Sequence, residues 1–137
     1  MRLTATGFLL VALVSLAAVI LYLVLTFQAA RTRGRHRITA PATAGAPEFE
    51  RALRIQVNTL EQLVPFIVAL WLCALYLQPL FAALIGVAWL VGRVIYAVSY
   101  ADDPARRHPG FIIGMVATIT LVVGAIVGIV MTWLAQA

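Results

Sequence analysis

The chain has 137 residues, 64% of them hydrophobic and only 11% charged, with a mean hydropathy of +1.02. These totals exclude a soluble globular domain and a disordered chain; they place the protein in a bilayer as a single domain. The net charge of +5 comes from ten basic residues, all arginine, set against five acidic ones. Because those arginines border apolar spans, anionic headgroups and membrane topology account for them, and no nucleic-acid partner is expected.

In chain order, Gly7 to Ala30 is an apolar run broken only by Ser15, Thr26 and Gln28. At about 24 residues it is long enough to cross the hydrocarbon core. It is too long for a signal-peptide core and no small-residue cleavage site precedes the arginines, so it reads as a retained helix. Arg31, Arg33, Arg35 and Arg37 follow at once, and then an uncharged linker, Ile38 to Ala46. Pro47, Pro79 and Pro109 each stand just before a long helical pattern, where a missing N–H costs nothing. Glu48 and Glu50 sit behind Pro47, where the helix dipole favours negative charge. The predicted spans are residues 7–30, 48–76, 80–101 and 110–134, an all-α, four-helix transmembrane bundle. The short turn at Leu77 to Pro79 makes the second and third helices antiparallel neighbours.

Basic residues set the topology. Arg31, Arg33, Arg35 and Arg37 fall in the first loop and Arg106 and Arg107 in the third, whereas the other side shows only Arg2. The positive-inside rule then puts both termini outside and loops one and three in the cytoplasm. A compact chain with an all-arginine basic set points to a bacterial inner membrane.

The polar residues of the second helix are not scattered. Arg51, Arg54, Asn58, Glu61 and Pro65 follow at steps of three and four, which puts them within an arc of about 80°. On the third helix Arg93, Tyr96 and Tyr100 repeat the pattern. Ionisable groups at the edge of a membrane span are costly and rarely persist unless they face a bundle interior or a ligand. Together the two stripes suit a small zwitterion: guanidinium forks grip carboxylates, Glu61 can hold an ammonium, and Asn58 and the phenols can satisfy amides. The bland alternative is that Arg and Glu merely pair and the tyrosines merely anchor. Pro65, inside the second helix, is expected to loosen the bond to the Glu61 carbonyl.

Gly110, Gly114, Gly124 and Gly128 on the fourth helix share one face and read as a packing seam, since small residues let helix backbones approach in lipid. Cys73 reads as an inert buried or lipid-facing residue. One cysteine and two distant histidines, His36 and His108, offer no metal or disulfide framework.

The stretch EFERALRIQVNTLEQLVP, with the APATAGAPEFER approach and the RVIYAVSY segment, resembles the signature of the membrane-associated proteins in eicosanoid and glutathione metabolism, the MAPEG family. The resemblance implies a homotrimer of four-helix subunits that binds glutathione as cosubstrate between neighbours. It carries glutathione contacts onto Arg54, Asn58 and Glu61, onto Tyr96 and Tyr100, and onto Arg33 and Gln56 from the adjacent subunit, with Arg93 in support of the site. It also makes Arg107 the residue that stabilises the glutathione thiolate, although adjacent Arg106 is an alternative for that role. Gln62 stands where the leukotriene-forming branch has a tyrosine, so no lipid-mediator substrate follows.

The expected activity is conjugation of glutathione to hydrophobic electrophiles, with reduction of lipid hydroperoxides as a second reaction. A free cysteine-type thiol titrates near 8.5, so an arginine beside it raises the thiolate fraction at neutral pH. The apolar substrate would arrive sideways from the membrane lipids. Two other readings remain open on the sequence: a non-catalytic lipid-presenting scaffold of the same family, and a small multidrug exporter. The exporters carry a glutamate within the first span, and this one has no charge there.

Overall fold

Four long apolar runs separated by prolines and short polar turns leave the backbone one way to satisfy its N–H and C=O groups in lipid, which is the α-helix. The computed structural model describes residues 2–137, with side chains from Ala5 onward; the Arg2 side chain, on which the topology argument draws, lies outside the described residues. The helices are α1 (Arg2–Arg35), α2 (Pro47–Tyr76), α3 (Pro79–Asp102) and α4 (His108–Leu134), with a 3-10 turn over Pro104–Arg107. All four are long and apolar enough to cross a membrane. The protein is an all-helical integral membrane protein.

α1 overruns its predicted end by five residues, so Arg31, Arg33 and Arg35 lie on helix rather than in a loop. Hydropathy marks where the bilayer ends, whereas arginine is a good helix former and favours the negative end of the dipole. The helix stops in a Schellman turn: Ile38 N–H donates to the Arg33 carbonyl at 3.1 Å and Arg37 N–H to that of Gly34 at 3.2 Å. Arg37 takes the left-handed position with φ 54°, where glycine is the usual occupant.

Two carboxylates fasten the start of α2. Glu48 accepts from Arg35 Nη1 at 2.8 Å and lies 2.9 Å from His36 Nε2, which ties α2 to the end of α1. Glu50 accepts from Gly45 N–H at 2.8 Å. The Gln78 side chain caps α3 through Phe81 N–H, and Asp103 accepts from Ala105 N–H at 2.9 Å to open the 3-10 turn.

All four helices contribute to the core, which is built of small and branched side chains such as Val11, Val14, Ala18, Leu70, Ala82, Ala83, Leu121 and Ala125. Phe66 of α2 stacks on Trp89 of α3 with ring centroids 3.9 Å apart. Leu13, Phe27, Val98, Ile112 and Trp133 are among many large apolar residues left exposed, as expected where the solvent is lipid. The glycine face of α4 is buried as the spacing predicts. A Cβ on Gly128 would come within 2.5 Å of the Tyr76 backbone, and one on Gly110 within 2.3 Å of Tyr96 N. At both places the helices touch backbone to backbone.

Candidate functional site

At the arginine-bearing end of the bundle, α2, α3, the 3-10 turn and the start of α4 enclose a cleft of about 330 Å³, lined by Arg54, Asn58, Tyr96, Tyr100, Arg107, His108 and Phe111. Each lining residue is positioned by its element. Arg54 and Asn58 are one turn apart on α2; Tyr96 and Tyr100 are one turn apart on α3, with rings 5.5 Å from each other. The 3-10 turn brings Arg107 back over α3, its guanidinium 5.9 Å from the Tyr100 ring centroid. His108 and Phe111 form the first turn of α4 and close the far wall. Gly110 allows that approach, since it stands against the α3 backbone at Tyr96.

A charged group behind this wall sets the orientation of Asn58. Arg93 is 1% exposed; its Nη1 donates to Asn58 Oδ1 at 3.1 Å and its Nη2 to Thr59 Oγ1 at 2.7 Å. The guanidinium also lies 4.3 Å from the Tyr96 ring centroid. With the Asn58 oxygen committed to Arg93, its amide N–H groups point the other way, and Nδ2 donates to Glu61 Oε2 at 3.4 Å. Glu61 stands at the margin, 4.0 Å from Arg54 Nη1, and both side chains are about half exposed. An ion pair that long and that wet contributes little stability, so both groups remain available to a ligand.

The predicted set therefore divides. Arg54, Asn58, Tyr96, Tyr100 and Arg107 converge on the cleft, with Glu61 at its edge. Arg93 does not line it. It lies buried behind the wall, with Nη1 on Asn58 and Nη2 on Thr59, while its buried Nε has no hydrogen-bond partner among the described residues. Arg51 shares the stripe by spacing but lines a different pocket, against α1. Gln56 donates to the Tyr22 hydroxyl of α1 at 2.9 Å. Arg33 lies over the Phe49 ring at 4.6 Å and donates to the Ala42 carbonyl at 2.9 Å. Neither Gln56 nor Arg33 reaches the cleft of its own chain. Arg106 pairs with Asp102 at 3.0 Å on the exposed side of α3, so of the two adjacent arginines Arg107 faces the cleft. Cys73 is fully buried in the packed core.

Sequence reasoning missed His108, Phe111 and Thr59. His108 and Phe111 carry a readable signal, a histidine and an aromatic one turn apart directly after Arg107. Thr59 carries none, since a threonine within an apolar helix ordinarily bonds its own backbone, as this one also does to Ile55.

Chemically, the cleft offers two guanidinium groups, an imidazole, a carboxamide and two phenols, with a carboxylate at its edge. That set complements a compact ligand bearing more negative than positive charge together with amide groups.

A model of the MAPEG family matches residues 11–127. The chain is 44% identical over 126 residues to the uncharacterized protein sll1147 of Synechocystis, covering 92% of each. It is 35% identical over 96 residues to human microsomal glutathione S-transferase 2, covering 69% of this chain and 65% of that protein. It is 39% identical over 98 residues to guinea pig (Cavia porcellus) leukotriene C4 synthase, covering 72% of this chain and 65% of that protein.

Proposed function

The chain belongs to the MAPEG family, and from that premise we propose that it is a membrane transferase that ionises glutathione and conjugates it to hydrophobic electrophiles. The observation that supports this reading best is the convergence of Arg54, Asn58, Tyr96, Tyr100 and Arg107 on one cleft at the edge of the spans. Glutathione carries two carboxylates, one ammonium, two amides and a thiol. Arg54 suits a carboxylate, Glu61 the ammonium, and Asn58, held by Arg93, presents amide donors to the peptide.

Arg107 is the group that would act on sulfur. A guanidinium beside the thiol favours the anion, and each unit by which the thiol pKa falls is worth about 1.4 kcal/mol. The thiol proton leaves to solvent, the thiolate forms a C–S bond with the electrophilic carbon, and the leaving group departs with its electron pair. With a hydroperoxide instead, two glutathiones give the disulfide, an alcohol and water. The nucleophile belongs to the cosubstrate, which leaves Cys73 without a chemical role.

A homotrimer completes the account: Arg33 and Gln56 do not line the cleft of their own chain, and they would serve a neighbour's by exchanging their contacts with Ala42 and Tyr22 for the ligand. The arginine-bearing end would lie in the cytoplasm of a bacterial inner membrane, where glutathione is found.

The test is glutathione binding to purified protein in detergent, followed by ultraviolet detection of thiolate in the complex. Wild type is expected to bind and to ionise the thiol well below pH 8.5. Arg107→Ala is expected to keep binding and lose at least tenfold in conjugation of a test electrophile, while Arg106→Ala keeps both. Unchanged turnover in Arg107→Ala removes that residue from the mechanism. Absence of glutathione binding in wild type would favour the lipid-presenting scaffold.

A further inference from the structure

A second constellation lies on the other side of α2 and α3. Arg31 and Arg35 of α1 and Arg51 of α2 line a pocket of about 290 Å³ at the arginine-bearing end of the bundle. An apolar groove of about 470 Å³ runs from it down the outside of the bundle between α1 and α3. The two adjoin at Gln28 of α1 and Ala101 of α3, which line both. Leu21, Val24, Leu25 and Gln28 form one stripe of α1, and Val94, Ala97, Val98 and Ala101 one stripe of α3, so the groove follows the helix axes. From Leu21 to Arg31 it extends about 15 Å.

Charge decides what fits the upper end. Glu48, the carboxylate of the pocket, is already held by Arg35 and His36. Asp102, at the rim of the groove, is held by Arg106. Arg31 and Arg51 form no ion pair among the described residues, and Arg51 acts on Glu48 only at longer range. The pocket therefore carries uncompensated positive charge directly above an apolar channel open to lipid. None of these residues lines the glutathione cleft.

We propose that this α1–α2–α3 corner binds one anionic phospholipid of the surrounding leaflet, its phosphate on Arg31 and Arg51 and an acyl chain in the groove between α1 and α3. A basic pocket between transmembrane helices is the arrangement that selects anionic headgroups, and the groove adds apolar burial that a free anion would not gain. The site is separate from glutathione chemistry and does not depend on it.

Native mass spectrometry of detergent-purified protein tests this, with phosphatidylglycerol and phosphatidylcholine of identical acyl chains in competition. Wild type is expected to retain one phosphatidylglycerol per chain in preference to phosphatidylcholine. The double variant Arg31→Gln/Arg51→Gln is expected to lose the preference, at about fivefold per arginine. Ala97→Leu, which fills the groove and leaves the charge alone, is expected to weaken retention of phosphatidylglycerol. The control Arg37→Gln, outside the pocket and set beside either single variant Arg31→Gln or Arg51→Gln, is expected to behave as wild type. Equal retention of the two lipids by wild type overturns the proposal. So does an equal loss of preference in the control, which would mean diffuse charge, or displacement of the lipid by excess inorganic phosphate, which would mean a headgroup site without a chain.

Discussion

The two ends of α2 solve opposite problems with the same helix. Near its start, Arg54, Asn58 and Glu61 face α3 and the 3-10 turn across an open cleft. Near its end, Cys73 and Tyr76 meet Gly124 and Gly128 of α4 with no room for a methyl group. In lipid, helix association draws on close packing rather than on the hydrophobic effect. The closed end thus supplies the cohesion that lets the other end stay open and polar. Stability and binding should accordingly respond to different substitutions.

Breaking the closed end should have the largest effect. Gly128→Leu forces side-chain atoms into the Tyr76 backbone, and overpacking against backbone is expected to cost about 3 kcal/mol. Thermal unfolding in detergent should show a drop of about 10 °C, while protein that remains folded binds glutathione with near wild-type affinity. An unchanged melting temperature would mean that the seam is loose.

Arg93→Leu probes the boundary between the two ends. It leaves Asn58 Oδ1 without its donor, and bonds to charged groups are worth about 1.5–3 kcal/mol. Calorimetric affinity for glutathione should fall by between tenfold and a hundredfold, with a smaller thermal shift than in Gly128→Leu. The reverse pattern would assign Arg93 to the packing and not to the cleft.

Arg54→Gln acts within the open end. Because Arg54 is half exposed, the loss should be milder, about fivefold in affinity, and it should shrink as salt screens the wild-type interaction. Cys73→Ala should matter least, costing about 1 kcal/mol or less of stability and leaving conjugation unchanged, which a standard transferase assay checks. A large fall in conjugation would give the thiol a role it lacks in the present account.

The four helices were legible because their apolar runs and prolines are physical requirements of a membrane span. The glycine seam was legible for the same reason: four-residue spacing is a property of one helix face. The cleft was legible only in part. Spacing groups Arg51 with Arg54, but which neighbour each meets depends on how α1 and α3 pack around α2, and the two residues end in different pockets. The partner of Gln56, Tyr22, lies 34 residues away on α1, and Arg93 reaches Thr59 across a similar separation. No local pattern encodes either contact. The full extent of α1 is not legible in the apolar run, because hydropathy reports the edge of the bilayer and not the end of hydrogen bonding.

The burial of Arg93 has a consequence for how the chain enters the membrane. Inserted alone, α3 would carry an unsolvated guanidinium into hydrocarbon, at about 2.5–3.5 kcal/mol near a helix centre. Its acceptors, Asn58 and Thr59, both reside on the preceding span, beyond a turn of only two residues. The second and third spans are thus best delivered to the bilayer together, as a preassembled hairpin whose internal polar contacts form before lipid surrounds them.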